Sequence, residues 1–423
     1  MSRVFRNFPA VIAVVCVLIL LIPATVSRAG DWSQWRGPSG LGLAAGDGEI
    51  PLKWNERQNV IWRTPVPGRG HSSPTIVGDL IVLTTADEST QTQGLIGFDR
   101  KTGKQKWITP VSQGGFPKIH AKNTHASSTV ASDGQLFFTA FHHHDKVEAV
   151  ALSADGKIVW KQDVGPFRPQ LYEYGYAASP TLYKGTLIVT GNCDTASWMK
   201  ALDPSSGKIL WEQELPKMLV WSSPIVGQIA GKDQLLLSGF EKMSAFDPSN
   251  GRQLWSTPCL TVATCGTAIW SGDVTFASGG YPKAETVAVK ADGSGQILWK
   301  NNVKCYEQSM LIKDQHVYAF SDQGIAYCWD ALTGNEKWSK RLRGPVSASP
   351  VLVGNQILAT NELGTTFVIE ATPEEFRSAG QNQLGTDMFA SAVVLDGRIY
   401  LRVGQQEGNG ARQEFMYCIG QSK

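Results

Sequence analysis

The sequence predicts an all-β protein, an eight-bladed β-propeller with four antiparallel strands in each blade. The first observation is a tryptophan that recurs at intervals of 39 to 53 residues. The second is that each tryptophan lies at the end of a similar unit. The unit starts with a pair of small residues, such as Ser73-Pro74, and continues through an Asp-x-x-x-Gly turn. The third is that the chain contains eight such starts. The recurring tryptophans are Trp62, Trp107, Trp160, Trp211, Trp255, Trp299 and Trp338.

The first unit shows how four strands fit into one period. Short apolar stretches separated by turn residues predict strands over Thr75–Val77, Leu80–Thr84, Leu95–Phe98 and Lys106–Thr109. A single unit of this size cannot bury both of its faces, so the units must pack on one another around an axis. The tryptophan of each fourth strand is therefore predicted to fill the space between neighbouring blades.

The ends of the chain predict how the ring closes. The last unit supplies strands over Arg398–Val403 and Phe415–Ile419 but no fourth strand. The segment Asn59–Val66 resembles the fourth strands of other units, so we expect it to complete the last blade and leave no long exposed edge. The seventh unit is the weakest copy, with Phe376 where tryptophan is expected. The predicted blade starts are Ser73, Ser128, Ser179, Ser223, Ala268, Ser309, Ser349 and Ser391.

The N-terminus predicts export. Residues 1–29 contain a basic start, an apolar stretch over Ala10–Ile22 and small residues that favour cleavage near Ala29, as in a secretory signal peptide. An uncleaved anchor is the alternative, although 13 apolar residues are few for a membrane span. We expect a periplasmic or secreted protein with no transmembrane segment after cleavage. Residues 30–58 are predicted to form an N-terminal extension packed on the ring, and residues 59–420 the propeller.

Charge and cysteines narrow the possible partners. Without the signal the chain has 36 basic and 37 acidic residues, which gives no electrostatic basis for nucleic-acid binding. Six cysteines then remain, and they allow 15 disulfide connectivities. Cys259 and Cys265 flank a connection between blades and are candidates for a pair, with Cys193 and Cys305 as further candidates. Cys328 and Cys418 occupy the same third-strand position and are predicted to be buried thiols. No self-complementary apolar face appears, so we expect a monomer.

The repeats resemble the PQQ-like propeller family, which includes quinoprotein alcohol dehydrogenases and the outer-membrane assembly factor BamB. The resemblance rests on the Asp-x-x-(Thr/Ser)-Gly-x-x-x-Trp signature and covers most of residues 59–420. Two further segments, Trp32–Pro38 and Lys122–Thr129, resemble secreted bacterial proteins with PQQ-binding-like repeats, most of which have no assigned function.

This resemblance implies two functions from different classes. The family's dehydrogenases hold their quinone with a pair of adjacent cysteines and a calcium ion, and no two cysteines adjoin in this chain. BamB needs no cofactor. We therefore expect a BamB-like, non-catalytic scaffold that holds a protein or another ligand at the mouth of the ring, without a cofactor. The alternative is an oxidoreductase that uses PQQ with calcium, or another metal, at the same mouth.

Propeller geometry locates the candidate site. Residues just before each innermost strand line the central mouth, and the long connections 112–124 and 165–175 reach the same face. Loop aromatics that only cover the core are the alternative. The motif His142-His143-His144-Asp145 could contribute metal ligands. A solvated loop is the favoured prediction, because successive side chains of an extended segment point in alternating directions. No catalytic or metal-binding residue is assigned, and the predicted ligand-binding residues are His71, His120, His125, Arg168, Tyr176, Trp221 and Tyr306.

Overall fold

A computed structural model describes residues 30–46, 49–406, 408 and 410–421. These residues form eight four-stranded antiparallel sheets arranged as the blades of a β-propeller, which confirms the predicted fold. The described residues contain no helix, and therefore no helix that could span a membrane. The predicted signal peptide, residues 1–29, lies outside the described residues.

Each of the first seven blades is built from four consecutive strands that run outward from the central axis. Blade one comprises β2 (Thr75–Val77), β3 (Leu80–Asp87), β4 (Thr92–Asp99) and β5 (Gln105–Gln113), and blade two comprises β6 (Ala131–Ser132), β7 (Leu136–His143), β8 (Lys146–Ser153) and β9 (Ile158–Pro166). Blade three comprises β10 (Thr181–Tyr183), β11 (Thr186–Asn192), β12 (Ser197–Leu202) and β13 (Ile209–Glu214), and blade four comprises β14 (Ile225–Ile229), β15 (Lys232–Ser238), β16 (Lys242–Phe246) and β17 (Gln253–Pro258).

The remaining strands follow the same order. Blade five comprises β18 (Ile269–Ser271), β19 (Val274–Gly279), β20 (Glu285–Lys290) and β21 (Ile297–Asn301). Blade six comprises β22 (Leu311–Lys313), β23 (His316–Phe320), β24 (Ile325–Asp330) and β25 (Glu336–Arg341). Blade seven comprises β26 (Val351–Val353), β27 (Gln356–Thr360), β28 (Thr365–Glu370) and β29 (Ser378–Gln383). Blade eight contains β30 (Val393–Leu395), β31 (Arg398–Gln405), β32 (Gln413–Ile419) and β1 (Val60–Val66).

Both ends of the chain build the eighth blade. Its strand order is β1-β32-β31-β30, and β1 runs antiparallel to β32 with Trp62 opposite Cys418. This arrangement confirms the predicted closure by an N-terminal strand. Because the two ends of the chain share one sheet, opening the ring would break the whole β1–β32 ladder rather than a single contact.

The recurring turn and tryptophan attach each blade to its neighbour. In blade one, the Asp99 carboxylate accepts hydrogen bonds from the backbone N–H groups of Lys101 and Thr102. Gly103 then adopts a φ of 71°, and a Cβ there would lie 2.5 Å from the Trp62 ring of blade eight. The Trp62 indole donates to the carbonyl of Arg100. The glycine is thus required twice, for the left-handed conformation and for the contact with the ring.

Blade seven departs from the prediction. The position opposite Val368 in its outer strand, where other blades have tryptophan, is Gly380, and Phe376 precedes the strand instead of occupying it. A Cβ on Gly380 would lie 2.3 Å from the carbonyl oxygen of Leu52. The expectation for Phe376 was therefore wrong because a segment of the N-terminal extension packs at this position.

One side chain fastens that segment to the outer strand of blade seven. The side-chain amide of Asn382 accepts a hydrogen bond from the backbone N–H of Trp54 at 2.8 Å and donates one to the backbone carbonyl of Leu52 at 3.1 Å. Trp54 is buried in the same core cluster as Trp62. The tryptophan missing from the seventh repeat is replaced by one from outside the repeats.

A ring of hydroxyl groups links the blades near the axis. In each link, the backbone N–H at one blade's small-residue step donates to a serine or threonine hydroxyl of the next blade. Links of 2.9–3.0 Å run from Ser73 to Thr129, Thr129 to Ser179, Ser179 to Ser223, Thr267 to Ser309, Ser309 to Ser349 and Ser349 to Ser391. The predicted starts Ser128 and Ala268 are each displaced by one residue from the linking residue.

The N-terminal segment, residues 32–43, crosses the central channel at the hydroxyl ring and on the side of that ring away from the mouth. It contacts the innermost region of successive blades through backbone and side-chain groups. These contacts join Trp32 to Ile76, Ser33 to Ser132, Gln34 to Thr181, Trp35 to Thr267, Arg36 to Met310 and Leu43 to Leu352. The channel is therefore open at the mouth and covered on the other side.

All six cysteines of the described chain are free thiols. The candidate pairing of Cys259 with Cys265 was wrong: the Cys259 thiol donates to the carbonyl of Thr257, whereas Cys265 lines the mouth. Cys328 and Cys418 are buried, and both lie opposite the tryptophan of their blade's outer strand, as expected from their equivalent positions.

Candidate functional site

The mouth of the ring encloses a cavity of about 340 Å³. One residue from every blade lines it, and each of these residues lies two positions before the serine or threonine of the hydroxyl ring. The eight residues are His71, Ser127, Ala177, Trp221, Cys265, Glu307, Ser347 and Phe389. The repeat therefore places one side chain per blade at the mouth and leaves its chemistry free to differ.

An aromatic wall covers the side of blades three to five. Tyr174 packs against Trp221 with ring centroids 5.6 Å apart, and Tyr172 lies between Tyr174 and Tyr281 at 5.4 and 5.8 Å. The Trp221 indole donates to the carbonyl of Gly175 at 2.9 Å, which fixes the ring. Because the rings contact one another edge-on or tilted, they form a continuous apolar surface.

Paired charges form a polar wall at the same mouth. Lys122, on the connection between β5 and β6, reaches across the mouth to Glu362 at 2.6 Å and Glu307 at 3.7 Å. Lys304 lies 3.3 Å from Asp322. Burial lowers the pKa of Lys122, but its carboxylate partners outweigh burial and raise the pKa overall. Lys122 is thus held as an ammonium group beside carboxylates.

The floor of the cavity is a tryptophan from outside the repeats. Trp35 lines the cavity together with Ser179, Ser223 and Thr267, and its indole N–H donates to the Thr267 hydroxyl at 2.9 Å. Since the segment around Trp35 also crosses the channel, the cavity is blind. A ligand must enter and leave through the mouth.

Burial keeps several titratable groups at the mouth neutral. Burial lowers the pKa of His71 well below its usual range, and the nearby guanidinium groups of Arg69 and Arg402 lower it further. The neutral imidazole stacks on Phe389 at 4.6 Å. Burial also raises the pKa of the Cys265 thiol and of the Tyr306 phenol. The Cys265 thiol is therefore a poor nucleophile at neutral pH.

Four of the predicted ligand-binding residues line the cavity, namely His71, His120, Trp221 and Tyr306. The other three lie elsewhere. His125 stacks on Phe116 at 4.0 Å behind the mouth, and Tyr176 is buried between blades two and three, with its hydroxyl donating to the carbonyl of Thr190. Arg168 is mostly exposed beside Asp145.

Two of the predicted residues, His125 and Tyr306, lie one residue too far from the predicted blade start. His125 is three positions before Ser128 and Tyr306 three before Ser309. The equivalent mouth residues, Ser127 and Glu307, lie only two positions before the hydroxyl residues Thr129 and Ser309. Tyr306 nevertheless lines the cavity beside Glu307. Counting back from the hydroxyl residue would have found all eight positions. No signal in the repeat pattern identifies Trp35 or Lys122, because their contacts are made across the ring.

The histidine motif of blade two is less solvated than predicted. His142 and His143 belong to β7 and are buried, and only His144 lies in the turn. Burial lowers the pKa of His142 to about 4. Alternation sends His142 toward Phe167 and His143 toward Glu148, as expected. The rings of His143 and His144 remain in contact, with their Nδ1 atoms 2.9 Å apart. Among the residues that the structure describes, no group of three His, Cys, Asp or Glu is placed to hold a metal ion.

The mouth does not fit a calcium-bound quinone of the PQQ type. Such a cofactor carries several carboxylates, and these require cations or N–H donors that are free to pair with them. At this mouth Lys122 and Lys304 are already paired with carboxylates, and a third carboxylate, Glu307, faces the same space. The donor set therefore favours a neutral molecule over a polyanion.

Comparisons with known proteins agree with this architecture. Three segments, residues 44–140, 119–281 and 282–373, match the family model described as outer membrane protein assembly factor BamB. No curated protein sequence matches the chain.

Solved structures share the fold at low identity. BamB from Moraxella catarrhalis is 15% identical with a TM-score of 0.59, covering 86% of this chain and 97% of that chain. Quinohemoprotein alcohol dehydrogenase from Comamonas testosteroni is 12% identical with a TM-score of 0.62, covering 95% and 82%. The computationally designed Ika8 protein is 12% identical with a TM-score of 0.56, covering 87% and 99%. These structures support the fold, and because the family model matches well over half of the sequence, the chain belongs to the family of the outer membrane protein assembly factor BamB.

Proposed function

We propose that this protein is a non-catalytic, extracytoplasmic binding protein that holds a ligand or a protein segment at the mouth of its propeller. The observation that carries the proposal is the blind cavity, which has an aromatic wall, a polar wall and one residue from every blade. Concave, partly apolar pockets with a few convergent polar groups are the usual binding sites of proteins.

The chemistry of the lining supports binding over catalysis. Burial keeps the His71 imidazole neutral and raises the pKa of the Cys265 thiol. The carboxylates of Glu362 and Asp322 form ion pairs with Lys122 and Lys304. A nucleophile needs an adjacent base to become reactive, and Cys265 has Tyr306 as its neighbour, whose raised pKa keeps it a phenol.

Two observations support a location outside the cytoplasm. The family is named for outer membrane assembly, and residues 1–29 have the pattern of a secretory signal. We infer that the folded ring acts outside the cytoplasm as a monomer. Fractionation of the producing cells, and the mass of the purified protein in solution, test these two statements directly.

The binding function is tested by asking what the native protein carries. The protein would be purified from its own extracytoplasmic fraction after mild crosslinking, and its bound proteins and small molecules identified by mass spectrometry. The same experiment on a Tyr174→Ala/Tyr281→Ala variant shows which of them depend on the mouth. Leu210→Ala, at an exposed apolar residue of an outer strand, serves as the matched control.

We expect at least one molecule to be retained by the unmodified protein and by the control but lost from the mouth variant. Retention that is equal in all three proteins would contradict a site at the mouth. A parallel titration with PQQ and calcium tests the oxidoreductase alternative, and one-to-one binding with alcohol oxidation would replace the proposed function.

A further inference from the structure

We infer that the mouth binds the neutral terminal unit of a carbohydrate chain. The inference rests on the proposed function and names the class of ligand. It follows from four features of the cavity, namely the aromatic wall, the balance of charges beside it, the hydroxyl groups at its base and the closed floor.

The aromatic wall offers a surface that suits the apolar face of a sugar ring. Tyr174 and Tyr281 are 37% and 48% exposed, so both present ring area to the mouth instead of filling the core. Tyr172 joins them into one surface, with centroid separations of 5.4 and 5.8 Å. A pyranose carries C–H groups on one face, and aromatic rings bury such a face while their hydroxyl groups stay in water.

The polar wall matches the hydroxyl edge of the same molecule. Glu307 supplies a charged acceptor, and the ammonium group of Lys122, 3.7 Å from it, supplies donors. A sugar hydroxyl both donates and accepts, so neighbouring hydroxyls can bond to a carboxylate and to the ammonium group beside it. A site built to bond hydroxyl groups rejects ligands that lack them, because its own polar groups then lose their partners.

Charge excludes the competing small-ligand classes. The polar wall holds the two ammonium groups of Lys122 and Lys304 near three carboxylates, those of Glu307, Glu362 and Asp322. An anionic ligand finds no unpaired cation there. A cationic ligand meets Lys304, which already lies 5.0 Å above the Tyr306 ring and so occupies that aromatic face. A neutral, hydroxyl-rich ligand brings neither an anion that lacks a partner nor a second cation beside Lys304.

The depth of the cavity limits how much of a chain can enter. Trp35 and the hydroxyls of Ser179, Ser223 and Thr267 form the base, and the N-terminal segment covers the channel beyond them. The volume of about 340 Å³ is near the lower end of ligand pockets, which span roughly 300–1,000 Å³. A blind pocket of this size accepts the end of a glycan and cannot let a chain pass through.

An apolar side chain of a peptide is the competing macromolecular ligand. The aromatic wall suits it equally well, but the polar wall does not, because burying Glu307 and Lys122 against an apolar group removes water without supplying new partners. The two ligands therefore differ in their dependence on Glu307.

The test uses the protein from Gly30 onward, which retains every described residue, and a panel of neutral mono- and disaccharides of glucose, galactose, mannose and N-acetylglucosamine. Binding is measured by calorimetry and by tryptophan fluorescence, since Trp35 and Trp221 both line the cavity. Glucuronic acid and glucosamine serve as the anionic and cationic probes.

We expect saturable one-to-one binding of at least one neutral saccharide with a Kd in the millimolar range or tighter, and weaker binding of both charged probes. Tyr174→Ala and Glu307→Gln are each expected to weaken binding about tenfold or more, since a hydrogen bond to a charged group stabilises a complex by this order. Phe240→Ala is the matched control, because Phe240 is also 37% exposed but lies outside the cavity lining.

Three results would overturn the inference. The first is the absence of binding by every saccharide of the panel, and the second is binding that Glu307→Gln leaves unchanged. The third is mouth-dependent capture of a peptide with no competition from saccharides, which would retain the proposed function while refuting the carbohydrate. If no molecule of any kind depended on the mouth for its retention, the proposed function itself would be refuted.

Discussion

The hydroxyl ring and the mouth lie two positions apart along the chain, yet one is uniform in composition and the other is varied. The linking positions carry serine or threonine in every blade that forms a link, whereas the mouth positions carry seven different residue types. The backbone is the same at both levels. Repetition is therefore found where blades must bond to one another, and variety is found where the ring faces solvent.

This difference is in keeping with the physical demands of each level. A blade interface has one geometry throughout the ring, so one residue type satisfies it in every copy. The mouth is a single concave surface, and a ligand has different groups on its different sides. If repeated positions hold the blades together and varied positions serve the ligand, substitutions at repeated positions should reduce stability. Substitutions at the mouth should then reduce binding alone.

The largest expected effect is at a repeated turn glycine. Gly207 has a φ of 72°, and a Cβ there would lie 2.7 Å from the Trp160 ring of the preceding blade. Gly207→Ala should reduce the free energy of unfolding by about 4 kcal/mol, through left-handed strain and overpacking together. Gly185 has a φ of 77° with open space around it, so Gly185→Ala should cost only about 1–2 kcal/mol. Equal losses in chemical denaturation would show that the contact with tryptophan is unimportant.

His142 is buried but does not occupy a repeated position, so it tests whether stability depends on the repeated positions alone. Burial lowers the pKa of His142 to about 4, from an unfolded value near 6.5. The unfolded chain takes up a proton as the pH falls below about 6.5, whereas folded His142 does not until about 4, so stability falls across this window and is unaffected above it. The loss is about 3 kcal/mol by pH 4.

His142→Phe should remove this part of the acid sensitivity. Unfolding free energies measured by denaturant titration between pH 7 and pH 4 would then decline less steeply for the variant than for the unmodified protein. If the two declines were parallel, His142 would be charged in the folded state or would not control acid stability.

A pair of serines provides the sharpest test. Ser179 accepts the N–H of Thr129 in the buried ring, whereas the Ser347 hydroxyl at the mouth contacts Glu362, which keeps Lys122 as a second partner. Ser179→Ala should cost about 2 kcal/mol, because it leaves a buried N–H without an acceptor. Ser347→Ala should cost under about 1 kcal/mol. Thermal unfolding of both variants ranks them, and the reverse order would mean that the ring of hydroxyls does not hold the blades.

The smallest expected effect on stability is at the aromatic wall. Tyr174 is 37% exposed, and its backbone carbonyl, which accepts from Asn123, remains after substitution. Tyr174→Ala should change the free energy of unfolding by no more than about 0.5 kcal/mol. Denaturant titration of the variant beside the binding assays measures this. A large loss would place Tyr174 in the core and weaken its assignment to a ligand site.

Much of the fold was predictable because its signals are local. The Asp-x-x-x-Gly turn, the tryptophan in the outer strand and the alternating apolar stretches each lie within one unit, and repetition corrects errors in any single copy. The closure was predictable from counting, since the last unit lacked a strand that the segment before the first unit resembled. The strand ends differ by a few residues from those predicted, as at β3, which extends to Asp87.

The candidate site was predictable only in part. The mouth positions depend on which residue of each step forms the blade-to-blade hydrogen bond, and Ser128 and Thr129 are indistinguishable until that bond is seen. The ion pair between Lys122 and Glu362 joins residues 240 positions apart in the sequence. A repeat pattern describes one blade and its neighbour, so it contains no information about contacts across the ring.

The sequence by itself determined the class of fold, the number of blades, the closure and the face of the ring that holds the candidate site. Only the tertiary structure decided that Trp35 closes the floor, that Trp54 serves blade seven in place of a tryptophan of its own, and that Lys122 completes the polar wall. The physical reason is that turns and strand alternation are set by neighbouring residues, whereas these three contacts form only after the blades have been arranged around a common axis.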